Sequence, residues 1–363
     1  MTARQATAGR TFTRSDLVVL GGGALASIGA GATHFLGAGP VFAFLCCAVA
    51  VALLASLVGR SVEQMGDRFG AGATGVLQSA LGNLPELFIA LFALKAGLVA
   101  VVQAALIGSI LANLLLVMGL AFVVGGVKHG SQQIDSKRAR STIVLMVLSV
   151  VAMVLPSLAH YVHAPASGHE DALSMIVSVV LLALFVLTLP ASLRRDRDEA
   201  ATPAMHHEAP RWPLALAIGM LAGASVLAAF VSDWFVTALE PAMSALHISE
   251  AFAGLVIVAI AGNAVENVVG IQLAAAGRSE YAFSVVINSP LQIALVLAPV
   301  LVLASHVLGF TPLTLVFPPM LVVSVALAVI VSAFITFDGE SNWIEGAALV
   351  AVYTIIAAAF WWG

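Results

Sequence analysis

Gly82-Asn83-Leu84-Pro85-Glu86 sits in the middle of an apolar run spanning about 70–95, and Gly262-Asn263-Ala264-Val265-Glu266 in the middle of another spanning about 249–276. On insertion scales, an acidic residue at the centre of a membrane helix costs about 2.5–3.5 kcal/mol. A chain that bears this cost twice, in the same local sequence, has a use for both acids. Glu86 and Glu266 are therefore read as the heart of a cation site. The alternative is that each acid is satisfied by a neighbouring helix for packing alone.

The surrounding chain supplies the membrane. Its 363 residues are 61% hydrophobic and only 9% charged, with a mean hydropathy of +1.06. A soluble core cannot absorb so much apolar surface, so an all-α polytopic membrane protein is expected, with the lipid bilayer as its main partner and no nucleic acid. Cys46 and Cys47 are adjacent within an apolar segment and read as small apolar residues. No cleavable leader is expected, because Arg4, Arg10 and Arg14 run into a first segment long enough to remain as an anchor.

Windows of about 20 apolar residues cross a bilayer as helices. Eleven are expected, at 16–34, 40–59, 70–95, 101–126, 141–162, 171–193, 213–239, 249–276, 281–309, 312–337 and 342–362. With the N-terminus inside, fourteen of the fifteen Lys and Arg residues fall on inside segments and only Lys95 falls outside. That bias fixes the orientation, with the C-terminus outside, and it checks the count, since one missed span would scramble it. The polar stretch Arg194–Arg211, with His206 and His207, reads as a solvated inside linker; a metal or proton sensor is the alternative. His160, His163 and His169 lie in an outside loop with spacing too loose for a metal site.

The two motifs stand 180 residues apart, and the same offset carries Gly108-Ser109-Ile110-Leu111-Ala112-Asn113 onto Asn288-Ser289-Pro290-Leu291-Gln292-Ile293. Two polar motifs preserved at one offset point to duplication. The glutamate helices are the third and eighth spans, an odd number of crossings apart, so the repeats are expected to be inverted, as in many secondary transporters. The expected divisions are 1–34, a first helix; 40–193, a first five-helix repeat; 194–212, a linker; and 213–363, a second repeat.

Local chemistry fits a site at the breaks. Glycine and asparagine weaken helices, and Pro85 lacks a backbone donor, so an interruption near Gly82 frees carbonyls toward a polar cavity. At helical spacing Ser79, Asn83 and Glu86 share a face, as do Ser109 and Asn113. In the second half Asn263 goes with Glu266 and Asn267, and Asn288 and Ser289 go with Gln292. The expected ion ligands are Glu86, Glu266, Asn83, Asn263, Gly82, Gly262, Ser109, Asn113, Ser289 and Gln292, with Ser79, Asn267, Asn288, Glu280 and Glu345 as weaker candidates. An all-oxygen set suits a hard cation such as Ca²⁺; Ser109, Asn113 and Gln292 can alternatively be interhelical hydrogen-bond glue. Interface anchoring is the other reading of Glu280 and Glu345, and no cofactor is expected.

These residues, with Phe92-Ala93-Leu94-Lys95, Leu114-Leu115-Leu116-Val117 and Asp338-Gly339-Glu340-Ser341-Asn342-Trp343-Ile344-Glu345-Gly346, make the chain resemble the calcium/proton antiporters (CAX-type) of the cation/calcium exchanger superfamily, from about residue 70 to the end. The resemblance implies eleven helices in a 1+5+5 plan and export of Ca²⁺ against H⁺ across a cell membrane. Leu84-Pro85, Asn267 and Asn288 stand where that family usually has Ala-Thr, His and Gly; these departures bear on cation preference and proton path. Two bare carboxylates in a low-dielectric gap repel, whereas a pair holding Ca²⁺ or two protons is locally neutral, so only those loadings should cross cheaply. A sodium/calcium or sodium(potassium)/proton exchanger is the alternative, and a cation channel is the rival from another class. A membrane-embedded enzyme would need a constellation such as His-Glu-x-x-His, which the sequence lacks.

Overall fold

A computed structural model describes residues 11–69, 81–134, 136–200, 211–337 and 339–362. Ser79, His206 and His207 lie outside these. Twelve helices are numbered in chain order: α1 Arg14–Leu36, α2 Pro40–Phe69, α3 Leu84–Lys95, α4 Val99–His129, α5 Ser136–Tyr161, α6 Glu170–Ala200, α7 Leu214–Leu246, α8 Glu250–Gly262, α9 Ala264–Ala275, α10 Ser279–Val307, α11 Pro319–Thr336 and α12 Trp343–Phe360. Among the described residues nine helices are long and apolar enough to cross a membrane, or ten if α8 and α9, bent by 63°, form one span. The expected window 70–95 falls partly outside the described residues; its latter half is α3.

The helices are built for lipid. α1 buries Gly23, Ser27, Ala30 and Thr33 and exposes Leu25 and Ile28 at 72% and 69%. Small residues inside and large apolar ones outside suit a hydrocarbon surround, where helix pairs gain from close packing and interhelical bonds. Buried hydroxyls mostly bond back to their own helix: Ser27 donates to Gly23 O and Ser61 to Leu57 O, both at 2.7 Å.

The chain divides into two compact units, Met1–Ile89 with Val186–Pro241, and Ala90–Phe185 with Ala242–Gly363. In the first, Thr13 and Asp16 form a capping box that starts α1. The Asp16 carboxylate, 3% exposed, accepts from Arg60 Nη1 of α2 at 2.7 Å. Gln64 Oε1 accepts from the backbone N–H groups of Arg211 and Trp212 at 2.8 and 3.0 Å, just before α7. Val58, Trp212, Ala217 and Ala224 pack below this anchor. Near the other end of α1 the His34 ring stacks on Trp234, centroids 5.6 Å apart.

In the second unit glycines set the crossings. A Cβ on Gly108 of α4 would lie 2.3 Å from Leu255 O of α8, and one on Gly254 would lie 2.4 Å from Val101 O. Three connections meet at one end of this unit. Strand Gln132–Gln133 pairs antiparallel with Glu340–Ser341, Ser279 Oγ donates to Gln133 O at 2.9 Å, and His129 Nε2 lies 3.1 Å from Ala275 O.

One expected boundary is corrected. The tenth expected window, 312–337, is helical only from Pro319, where α11 begins, and the segment before it is extended. Pro312, Pro318 and Pro319 disfavour helix there. Leu313, Leu315 and Phe317 are nevertheless wholly buried, and side chains from four helices satisfy the backbone. Ser305 Oγ accepts from Leu313 N, Ser174 Oγ from Leu315 N and Ser157 Oγ from Phe317 N, at 2.8–3.0 Å. Ser157 donates to Leu315 O at 2.9 Å, and Gln103 Nε2 donates to Thr314 O at 3.1 Å and Val316 O at 2.9 Å. Irregular backbone in an apolar setting persists only when its groups are met in this way.

Candidate functional site

Both motifs interrupt a helix where expected. Gly82 and Asn83 form a turn and α3 starts at Leu84, which puts Glu86 in its first turn, 4% exposed. In the second unit α8 stops at Gly262, Asn263 leaves helical geometry (φ −99°, ψ 22°), and α9 starts at Ala264 with half-buried Glu266 in its first turn. Each acid is thus the third residue of a half-helix. The carbonyl end of the preceding half-helix, at Ala259–Gly262 in the second unit, is the kind of group that coordinates cations in broken-helix transporters.

Within the second unit the structure gathers Ser109 and Asn113 of α4, Ser289 of α10 and Asn263 at the break between α8 and α9 into one buried hydrogen-bonded set, none more than 4% exposed. Asn113 Nδ2 donates to Ser109 O at 2.9 Å and approaches Asn263 Oδ1 at 3.3 Å and Ser289 Oγ at 3.2 Å. Asn263 Nδ2 donates to Ala259 O and Ser109 Oγ, both at 2.9 Å, while its Oδ1 accepts from Ser289 Oγ at 3.2 Å. Because a backbone carbonyl can only accept, Ser109 O fixes the Asn113 amide with nitrogen toward it. Asn113 Oδ1 is then turned the other way, buried and without a hydrogen-bond partner among the described residues. Asn267 Oδ1 is in the same condition. Buried acceptor oxygens of this kind are a fitting donor set for a hard cation.

The remaining candidates are dispersed. Gln292 is half-buried at the last α-helical turn before a wider turn in α10. Asn288 is exposed, its Nδ2 3.4 Å from Ser284 Oγ, and Glu280 is exposed at the start of α10. Glu345 closes a capping box with Asn342, accepting from its N–H at 3.0 Å, which occupies it at the start of α12. His160 Nδ1 meets Glu170 Oε1 at 2.8 Å, an ordinary loop pairing.

Periodicity did not reveal the π-helical turns. They occupy Ala112–Val117 in α4, Ala253–Val258 in α8 and Ile293–Leu297 in α10, all beside candidate residues. Such turns are rare and concentrate at functional sites. Ser332 of α11, which donates to Leu114 O at 3.3 Å, was also missed; a lone serine in an apolar helix gives no signal.

The family model for the sodium/calcium exchanger protein matches residues 39–193 and 216–362. A Ca(2+)/H(+) antiporter of Aphanothece halophytica is 34% identical over 90% of this chain and 92% of its own length. The Ca(2+)/H(+) antiporter ChaA of Bacillus subtilis is 36% identical over 88% of this chain and 91% of its own. The solved structure of native YfkE is 32% identical, with a TM-score of 0.80 over 95% of this chain and 98% of that one. With a family match along most of its length, this multi-pass membrane chain belongs to the sodium/calcium exchanger protein family.

Proposed function

We propose that the protein is a secondary antiporter that moves Ca²⁺ out of the cytoplasm in exchange for H⁺, with Glu86 and Glu266 as the two carboxylates, one from each repeat, that carry ion or protons. The observation that carries this reading is the buried Ser109–Asn113–Asn263–Ser289 set beside a helix break, in a chain whose named relatives are Ca(2+)/H(+) antiporters. Asn83, Gly82, Gly262 and Gln292 complete the proposed oxygen ligands. Ca²⁺ with two carboxylates is locally neutral, as is the doubly protonated pair, so those two loadings cross a low-dielectric barrier and the bare dianion does not.

The repeats are proposed at 40–193 and 213–363, inverted because the glutamate helices are the third and eighth spans, and two observations support the duplication. The helix breaks at Gly82-Asn83 and at Asn263, and the π-helical turns at Ala112–Val117 and Ile293–Leu297, recur at nearly the 180-residue offset. The orientation proposed is N-terminus inside and C-terminus outside in a cell membrane. The meeting of the connections after α4, α9 and α11 at one end of the second unit supports placing all three on one side, and the Lys and Arg bias is what supports that side being the inside.

The test uses proteoliposomes with an imposed pH gradient. Ca²⁺ uptake coupled to proton release is expected, and Glu86→Gln or Glu266→Gln should abolish it. Leu84-Pro85 favours a sodium-coupled reading, so a sodium gradient at constant pH is the second arm. Flux driven by sodium alone, or unaltered transport in both variants, would overturn the proposal; uncoupled Ca²⁺ flux would mark a channel.

A further inference from the structure

The π-helical turn in α4 leaves one carbonyl over. Met118 N–H is shared between Asn113 O, five residues back, and Leu115 O, three back, and from Met118 onward the helix returns to α geometry. In passing from five-back to four-back bonding, such a helix skips the carbonyl between, here that of Leu114. Leu114 is wholly buried among apolar groups, where an unmet carbonyl is costly. Ser332 Oγ of α11, also wholly buried, donates to it at 3.3 Å. Unlike Ser27, Ser61 and Ser178, which bond the carbonyl four residues back on their own helix, Ser332 sends its proton across to a neighbouring one.

α11 carries none of the proposed ligands, yet it is tied to α4 on both sides of Ser109 and Asn113. Ser332 holds Leu114 on one side; on the other, Gln103 of α4 holds the backbone of Thr314 and Val316 in the segment leading into α11. Were the π-helical turn to relax into α-helix, side chains before it would rotate by about 100° relative to those after it. Asn113 would then lose Asn263 and Ser289.

We propose that Ser332 is a positioning residue for ion binding. By capping the Leu114 carbonyl it locks the π-helical turn and so the direction of the Asn113 side chain. The proposal rests on the reading that Asn113 serves the Ca²⁺ site. Three variants test it: Ser332→Ala removes the donor, Ser332→Cys keeps a weak donor of similar size, and Ser324→Ala removes another buried hydroxyl of α11 as the control. Amide hydrogen exchange over residues 112–119 reads the turn without transport, and the half-saturating Ca²⁺ concentration in proteoliposomes reads the site. Ser332→Ala should speed exchange in that segment and raise half-saturation about two- to tenfold, the size expected for one buried hydrogen bond. Ser332→Cys should fall between it and wild type, with Ser324→Ala near wild type. Unchanged exchange in Ser332→Ala, faster exchange with unchanged half-saturation, or an equal defect in Ser324→Ala would each overturn it. If the wild-type protein moved no Ca²⁺, the proposed function would fail, and the exchange measurement alone would decide the clamp.

Discussion

Asn113 and Asn263, 150 residues apart in sequence, face one another with Nδ2 of the first 3.3 Å from Oδ1 of the second. Each amide also donates to the carbonyl four residues earlier in the chain, Ser109 O and Ala259 O, both at 2.9 Å. Neither amide can rotate without breaking a bond to its own backbone, so the pair is held with its orientation set. For the proposed ion site, preorganisation of this sort lowers the ordering entropy of capture.

Asn263→Ala removes the donor to Ser109 and the acceptor shared by Asn113 and Ser289. It should lower stability by roughly 1–3 kcal/mol, the usual penalty for leaving buried polar partners unmet. Thermal melts in detergent check this, and Ca²⁺ uptake should fall at least about tenfold, the ratio that 1.4 kcal/mol produces. Asn263→Ala melting and transporting like wild type would refute the prediction.

Gly108→Ala places a methyl 2.3 Å from the Leu255 carbonyl oxygen and 2.5 Å from Leu255 Cα, both backbone atoms that cannot swing aside. α4 and α8 must then separate, at a penalty of about 1–3 kcal/mol or more. A lower melting temperature and reduced yield are expected; Gly219→Ala, which meets nothing within 4 Å, should be silent.

The extended segment before α11 depends on few side chains. Gln103→Leu strands the Thr314 and Val316 carbonyls, and Ser157→Ala strands Leu315 O and Phe317 N. Each should destabilise by about 1–3 kcal/mol. Because both grip one segment, the double variant should lose less than the sum, with a coupling of about 0.5 kcal/mol or more. Strict additivity in denaturation experiments would show that the two contacts act independently.

Asp16 is buried against Arg60, with Arg211 Nη2 3.9 Å away. Asp16→Ala removes the half of the α1 capping box that accepts from Thr13 N–H and leaves two arginines without their carboxylate. A loss of about 1–3 kcal/mol is expected, read as a lower melting temperature, and Asp16→Asn should recover part of it through the retained cap.

Topology is checked chemically. In a Cys46→Ala, Cys47→Ala background, exposed Ser131→Cys should react with an impermeant maleimide only from the inside, and exposed His163→Cys only from the outside. The reverse pattern would invert the proposed orientation.

The amino-acid sequence alone determined the membrane character, the helix breaks and most of the gathered polar residues. These follow from one-dimensional properties: apolar run length, helix-weakening Gly, Asn and Pro, and polar residues placed where lipid penalises them. Tertiary structure decided what depends on neighbours distant in the chain. The extended segment at 313–317 read as apolar and therefore as helix, because its hydrogen-bond partners Gln103, Ser157, Ser174 and Ser305 lie on other elements. The π-helical turns add one residue to a turn without changing composition, so periodicity does not register them. Ser332 looks like any small residue in an apolar helix; only the packing of α11 against α4 brings its hydroxyl to a carbonyl left over by such a turn.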